Sequence, residues 1–119
     1  MIQPVFKILS ANHTGNSIVA LLEVDAESDI FNGHFPEQPV VPGACMLQTV
    51  KEILEDALKT SIRLLRADNI KFLNMITPDS TGLTLRVNYQ LPDNEIKVMA
   101  ELAGEAIVFM KLQASFIAR

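Results

Sequence analysis

Hydrophobic and polar residues alternate along most of the second half of the chain. The alternation is clearest over residues 83–90, 95–102 and 108–116. Successive side chains of a strand point to opposite faces, so this pattern is typical of strands with one buried face. Residues with turn chemistry separate the three runs, at 92–94 and 103–105. The sequence therefore predicts three successive strands joined by tight turns, which is an antiparallel arrangement.

Three further runs predict strands at 5–10, 17–24 and 69–76. A polar, glycine-containing stretch at 12–16 predicts a turn after the first of them. The third run is broken by the sequence Thr-Pro-Asp-Ser at 77–80, since proline cannot donate to a strand ladder.

One segment has the periodicity of a helix instead. Residues 44–59 contain neither proline nor glycine and are rich in helix formers, and Pro42 and Gly43 stand where the first turn would begin. We expect a helix from about Gly43 to Lys59, with an apolar stripe at helical spacing: Met46, Leu47, Val50, Ile53, Leu54, Ala57 and Leu58. One long helix and successive antiparallel strands predict the α+β class, with a curved antiparallel sheet packed around the helix.

Length and composition limit the possible functions. The 119 residues are enough for one domain, 1–119, and 49% are hydrophobic, which indicates a folded chain and favours oligomerisation. The net charge of −4 argues against nucleic acid as the main partner. No apolar run is long enough to span a membrane, and the first residues do not form a signal peptide. One cysteine fits a reducing cytoplasm, and its distance from the two histidines predicts no metal site.

The segment 31–52 concentrates the unusual residues of the chain. It holds three of the six prolines, two of the five glycines, the only cysteine and one of the two histidines. The prolines predict a rigid extended loop that carries His34 and leads directly into the helix. A helix N-terminus offers unpaired N–H groups and partial positive charge, so an imidazole beside it suits chemistry on a carbonyl. We expect His13 to be a surface turn residue and Cys45 to be a small core residue.

The motif Gly33-His34-Phe35-Pro36, followed by Pro39-Val40 and Pro42-Gly43, resembles that of the 3-hydroxyacyl-acyl carrier protein dehydratases of fatty acid synthesis. The resemblance extends over nearly the whole chain. It implies the hot-dog fold, in which a sheet wraps a central helix. It also implies an acyl carrier protein as partner, no cofactor, and homodimers or trimers of dimers with active sites at the subunit interface.

The same resemblance assigns roles to particular residues. It implies that His34 is the catalytic base, that the backbone N–H of Gly43 polarises the thioester carbonyl, and that Phe35 and Pro42 contact substrate. Where the family carries a catalytic carboxylate on the helix, this chain has Gln48. An amide cannot supply a proton in the accessible pH range. Glu52 lies one turn further on, on the same helix face, and is the alternative acid.

Three functions remain open at this stage. The first is dehydration of 3-hydroxyacyl thioesters to trans-2-enoyl thioesters. The second is a hot-dog thioesterase, which Gln48 weakens equally. The third is a catalytically weak subunit that binds acyl carrier protein. The basic residues at 59, 63, 66 and 71 are either solvated surface or a docking surface for that acidic carrier.

Overall fold

The computed structural model of the chain describes residues 5–28, 41–91 and 94–118. These residues contain one helix, α1 (Gly43–Leu58), and six strands: β1 (Phe6–Thr14), β2 (Ser17–Val24), β3 (Ile62–Phe72), β4 (Leu83–Gln90), β5 (Glu95–Ala103) and β6 (Val108–Ala118). The helix observed ends one residue before the predicted boundary.

The six strands form a single sheet in the order β1-β2-β4-β5-β6-β3. Every neighbouring pair is antiparallel. β1 and β2 are joined by a two-residue turn in which Gly15 has a φ of 59°, as the tight turn of a hairpin requires. β3, which follows the helix, lies at the edge of the sheet and pairs with the last strand, β6. β1 and β3 are therefore the two edge strands.

The core lies between the helix and one face of the sheet. Alternate residues of β2, β4 and β5 are buried, as the period-two pattern predicts. The helix buries Cys45, Met46, Thr49, Val50, Ile53 and Leu54. The apolar residues of these two surfaces form one hydrophobic cluster, against which the other members of the predicted stripe, Leu47, Ala57 and Leu58, are packed. The predicted α+β arrangement of one helix against an antiparallel sheet is confirmed.

Two strands have boundaries that differ from those predicted from the sequence. β3 begins at Ile62 and ends at Phe72, so it starts and ends earlier than the predicted 69–76. Its residues are exposed on both faces over most of its length, which removes the alternation that would reveal it. β1 continues to Thr14 because His13 and its neighbours pair with β2, and this pairing overrides the local turn propensity of 12–16. Residues 92–93 of the predicted turn at 92–94 lie outside the described residues.

Within the described part of the chain, α1 is not long and apolar enough to cross a membrane. Its C-terminal end is closed by Lys59, which has a left-handed conformation with φ 56° and ψ 38° and donates its backbone N–H to the carbonyl of Glu55. Glycine usually occupies this position, because a side chain there meets steric resistance.

We expect Lys59→Gly to raise the free energy of unfolding by about 0.5–1 kcal/mol, because glycine adopts the left-handed conformation without strain. Lys59→Ala is the matched control, since it keeps Cβ and removes only the exposed ion pair with Asp56, whose atoms are 3.8 Å apart. That control should change stability by less than about 0.5 kcal/mol. Urea denaturation measures the free energy of unfolding of both variants. Equal effects of the two substitutions would contradict the prediction that the left-handed conformation of Lys59 is strained.

Candidate active site

The start of α1 is tied to the segment that follows β3. Pro42 precedes the helix in an extended conformation (φ −63°, ψ 146°), and no side-chain capping bond to the first turn occurs among the residues that the structure describes. The backbone N–H of Val41 donates to the carbonyl of Ile76 at 2.8 Å. The N–H of Cys45 donates to the carbonyl of Pro42 at 3.0 Å. This end of the helix carries the partial positive charge of the helix dipole, so it can stabilise developing negative charge on a carbonyl oxygen.

Gln48 and Glu52 contact each other on the exposed face of α1. The Nε2 of Gln48 donates to Oε1 of Glu52 at 3.3 Å, and both side chains are exposed. The predicted placement of the two residues on one helix face is confirmed. The amide oxygen of Gln48 is oriented by this contact, because the nitrogen of the same amide is turned toward the carboxylate.

Glu55, one turn closer to the C-terminus of α1, has a different partner. Its Oε2 accepts a hydrogen bond from the backbone N–H of Ile62 at 2.8 Å in a partly buried position. This bond joins the last turns of the helix to the first residue of β3. Glu55 therefore stabilises the connection between two elements, whereas Glu52 stays accessible beside Gln48.

The single cysteine lies inside the core. Cys45 is buried, and this burial raises the pKa of its thiol above the ordinary value. The nearby Thr49 is also buried, and its hydroxyl donates to the backbone carbonyl of Cys45 at 2.8 Å. A thiol with a raised pKa is a poor nucleophile at neutral pH, so Cys45 acts as a core residue.

His13 is exposed, as predicted, but it lies in strand β1 and not in a turn. Its Nε2 and the hydroxyl of Tyr89 are hydrogen-bonded at 2.6 Å across the sheet. The Tyr89 hydroxyl is also 3.4 Å from the carbonyl of Gly15, to which it donates. The sequence reading missed this contact because the two rings are 76 residues apart in the chain. His13 therefore links β1 to β4 through a side-chain bond across β2.

The basic residues predicted as a possible docking surface are partly neutralised. Arg66 lies 3.0 Å from Asp68 and 3.6 Å from Glu95, and Lys59 pairs with Asp56. Lys71 is directly opposite Lys111 on β6. Two of the four basic residues, Lys59 and Arg66, are thus ion-paired. Docking of a carrier protein on this surface stays a prediction.

Of the six residues singled out from the sequence, the structure describes Pro42, Gly43, Gln48 and Glu52. All four lie on α1 or at its start. The other two, His34 and Phe35, lie outside the described residues. Gln48 is five residues after Gly43, or about 7.5 Å along the helix axis. No group of three metal-binding side chains occurs within the ranges 5–28, 41–91 and 94–118.

Comparison with known proteins finds a matching family and similar individual proteins. Residues 10–109 match the family described as "ApeI-like: ApeI dehydratase". The 3-hydroxyacyl-[acyl-carrier-protein] dehydratase FabZ of Oenococcus oeni is 31% identical over 115 residues, which cover 88% of this chain and 79% of that protein. The bifunctional enzyme LpxC/FabZ of Bacteroides thetaiotaomicron is 26% identical over 112 residues. This match covers 86% of the chain but 24% of that longer enzyme.

Solved structures share the fold at lower identity. The dehydratase heterocomplex ApeI:P of Xenorhabdus doucetiae aligns with a TM-score of 0.79 and 20% identity, covering 98% of this chain and 99% of the other. An uncharacterised protein from Erwinia carotovora aligns with a TM-score of 0.74 at 24% identity, with 98% of each chain covered. A putative thioesterase from Ralstonia eutropha gives a TM-score of 0.63 at 20% identity, covering 91% of this chain and 83% of the other. These alignments confirm the hot-dog fold, which occurs in neighbours with different described activities.

Substitution of the two glutamates of α1 tests whether only Glu55 stabilises the fold. We expect Glu55→Ala to lower the free energy of unfolding by about 1–3 kcal/mol, because it removes the charged acceptor of a partly buried N–H. Glu55→Gln keeps an acceptor oxygen and should cost less. Glu52→Ala, on the exposed face, should change stability by no more than about 0.5 kcal/mol. Urea denaturation compares the three, and an equal loss in both alanine variants would contradict the separate roles.

Proposed function

The chain belongs to the ApeI-like dehydratase family, and on that premise we propose that it converts 3-hydroxyacyl thioesters on acyl carrier protein to trans-2-enoyl thioesters, with loss of water. The observation that carries this proposal is the match to the dehydratase family over residues 10–109, which include both the motif with His34 and the start of α1. The similarity to FabZ proteins supports a place in fatty acid biosynthesis.

The proposed reaction assigns one step to each part of the site. His34 takes the proton from C2, and the backbone N–H of Gly43 stabilises the charge that develops on the thioester oxygen. The C2–C3 double bond forms as the C3–O bond breaks. The hydroxyl leaves as water with the proton that His34 returns, because neither backbone nor amide groups can supply one.

Gln48 has a positioning role in this scheme. Its nitrogen donates to Glu52, which leaves the amide oxygen as an acceptor for the C3 hydroxyl of the substrate. Glu52 would thus orient Gln48 and need not reach the substrate itself. The exposed position of both residues in the single chain fits a site that a second subunit completes.

Assembly is inferred from the edge strand β3. Leu64 and Leu65 are exposed by 46% and 41% on this strand, and an edge strand offers unpaired backbone groups to a second chain. We infer that two chains pair through this edge. The acyl carrier protein as partner and the cytoplasmic location are parts of the same proposal. The net charge of −4 argues against nucleic acid as the main partner.

A second candidate function is a catalytically weak subunit of a mixed assembly. Gln48 favours it, because the helix lacks the carboxylate at that position. One fold neighbour is described as a dehydratase heterocomplex. Such a subunit would bind the acyl carrier protein without removing water from its cargo.

The main test of the proposed reaction is His34→Ala. We expect it to lower the dehydration rate by about 10²- to 10⁴-fold, because it removes the one side chain of the motif Gly33–Gly43 whose ordinary pKa lies near neutral pH. The measurement is mass loss of one water from 3-hydroxyacyl carrier-protein thioesters. His13→Ala is the control and should keep the rate, although it breaks the bond to Tyr89. An unchanged rate in His34→Ala would overturn the proposal.

A second prediction concerns the helix pair. We expect Gln48→Glu to raise the dehydration rate, because a carboxylic acid beside the charged Glu52 is held protonated more readily and can donate a proton. Glu52→Gln should be nearly silent in the same assay. A large loss in Glu52→Gln would instead identify Glu52 as the acid. If wild-type protein binds the carrier thioester and releases no water, the subunit function is correct.

A third prediction concerns pairing through β3. At micromolar concentration the wild-type protein should sediment as a dimer or a larger assembly. The double substitution Leu64→Lys and Leu65→Lys should shift it to monomer, since it places charge on the apolar edge. Met99→Lys is the control, because Met99 is 59% exposed on β5, away from this edge, and should leave the assembly unchanged. A wild-type monomer would contradict the pairing.

A further inference from the structure

The glycine at the start of α1 lies against an aromatic ring, and its backbone conformation does not require glycine. Gly15 and Gly82 have positive φ angles, whereas Gly43 does not. An alanine at this position could adopt the same backbone and has the higher helix propensity. A methyl group built on Gly43 would, however, lie 2.5 Å from Cζ of Phe72, and 2.9 and 3.0 Å from its two Cε atoms. The tip of the Phe72 ring therefore occupies the volume that a side chain would need.

Phe72 reaches Gly43 from the last residue of β3. Its partner across the ladder is the fully buried Met110, so Phe72 lies on the helix side of the sheet. The side chain is nonetheless 51% exposed. One end of the ring thus packs on the helix start while much of the ring remains open beside it. A half-exposed aromatic ring of this kind provides an apolar contact for a ligand.

The backbone segment 72–76, which carries this ring at its first residue, is held by hydrogen bonds at both ends. The N–H of Leu73 donates to the carbonyl of Phe109 at 2.9 Å, and the side-chain nitrogen of Asn74 donates to the carbonyl of Val108 at 2.8 Å. Further along, the carbonyl of Ile76 accepts from Val41, immediately before the helix. The segment 72–76 therefore connects β6 to the start of α1, which fixes the backbone from which the ring projects toward Gly43.

We propose that Phe72 is a specificity-determining residue, whose ring forms the wall of the acyl-thioester site next to the Gly43 carbonyl-binding group. This inference rests on the proposed function, which gives Gly43 its role in binding the carbonyl. It adds that the Phe72 ring restricts which acyl chains fit beside that carbonyl. With the ring against the helix start, it would occupy the space beside a thioester carbonyl bound at Gly43, where an additional substituent on the adjacent carbon would lie. The site therefore selects 3-hydroxyacyl chains that are unbranched at C2.

The packing part of the proposal is tested by a double-mutant cycle in thermal stability. Gly43→Ala should lower Tm by about 4–12 °C, as expected for overpacking in a protein of this size. In a Phe72→Leu background, which removes the ring atoms that meet the methyl group, Gly43→Ala should lower Tm by less than about 2 °C. Leu73→Ala, next in the chain and 49% exposed, is the control background and should give no such rescue. Equal losses in all backgrounds would overturn the contact.

The specificity part is tested by binding, so that it does not depend on catalysis. The probes are pantetheine amides of 3-hydroxybutyrate and of its 2-methyl analogue, in which the amide replaces the reactive thioester. Calorimetry should show that wild-type protein prefers the unbranched probe by about 10-fold or more. Phe72→Leu should reduce that preference about 10-fold, while Leu73→Ala should retain it. Phe72→Ala is a second variant in case leucine still fills the space.

The outcomes separate this inference from the proposed function. A preference that depends on Phe72 supports the inference even if the protein releases no water from 3-hydroxyacyl thioesters, and then only the reaction is wrong. A preference unchanged in both Phe72 variants overturns the inference even if dehydration is observed. Failure of wild-type protein to bind either probe also overturns it, because a wall of the acyl site requires acyl binding.

Discussion

The arrangement of the molecule depends on the burial of one face of α1 against the sheet. Apolar residues at helical spacing cover that face, and alternate residues of the strands supply the opposing surface. Burial of these two surfaces removes apolar area from water, which is the main favourable contribution to folding. Once this face is buried, the opposite face of the helix must carry Gln48 and Glu52. The same constraint makes Cys45 part of the core and lowers its reactivity through its raised pKa.

Residues of one chemical type acquire different roles from their distance to this core. Glu52 and Glu55 lie about one turn apart on α1, yet only Glu55 accepts a hydrogen bond from the backbone of β3. Glu52 instead orients an amide on the exposed face. In the same way, His13 is held by Tyr89 across the sheet, whereas His34 belongs to the sequence motif Gly33–Gly43. Residue type alone would not separate these pairs.

The start of the helix shows how packing and chemistry are combined at one point. Polar contacts tie Val41 to Ile76, and the ring of Phe72 lies against Gly43. The backbone N–H groups of the first turn are thus held in place by a strand end that is itself bonded to β6. A rigid donor array is what stabilisation of a developing oxyanion requires, because donors that must reorganise contribute less. Phe72, the half-exposed last residue of β3, lies beside these N–H groups.

The sequence by itself determined the α+β class, the helix and its buried stripe, and the strands with one buried face. These follow from periodicity, because a side chain's position on a helix or strand repeats at a fixed interval. The motif from Gly33 to Gly43 also identified the family, and Gln48 with Glu52 was correctly placed on one helix face.

Periodicity failed for β3, since an edge strand exposed on both faces has no alternation to detect. The contacts of Phe72 with Gly43, Glu55 with Ile62 and His13 with Tyr89 were decided only by the tertiary structure. Each joins different secondary-structure elements, and which of them meet is set by the order of strands in the sheet and by packing against the helix.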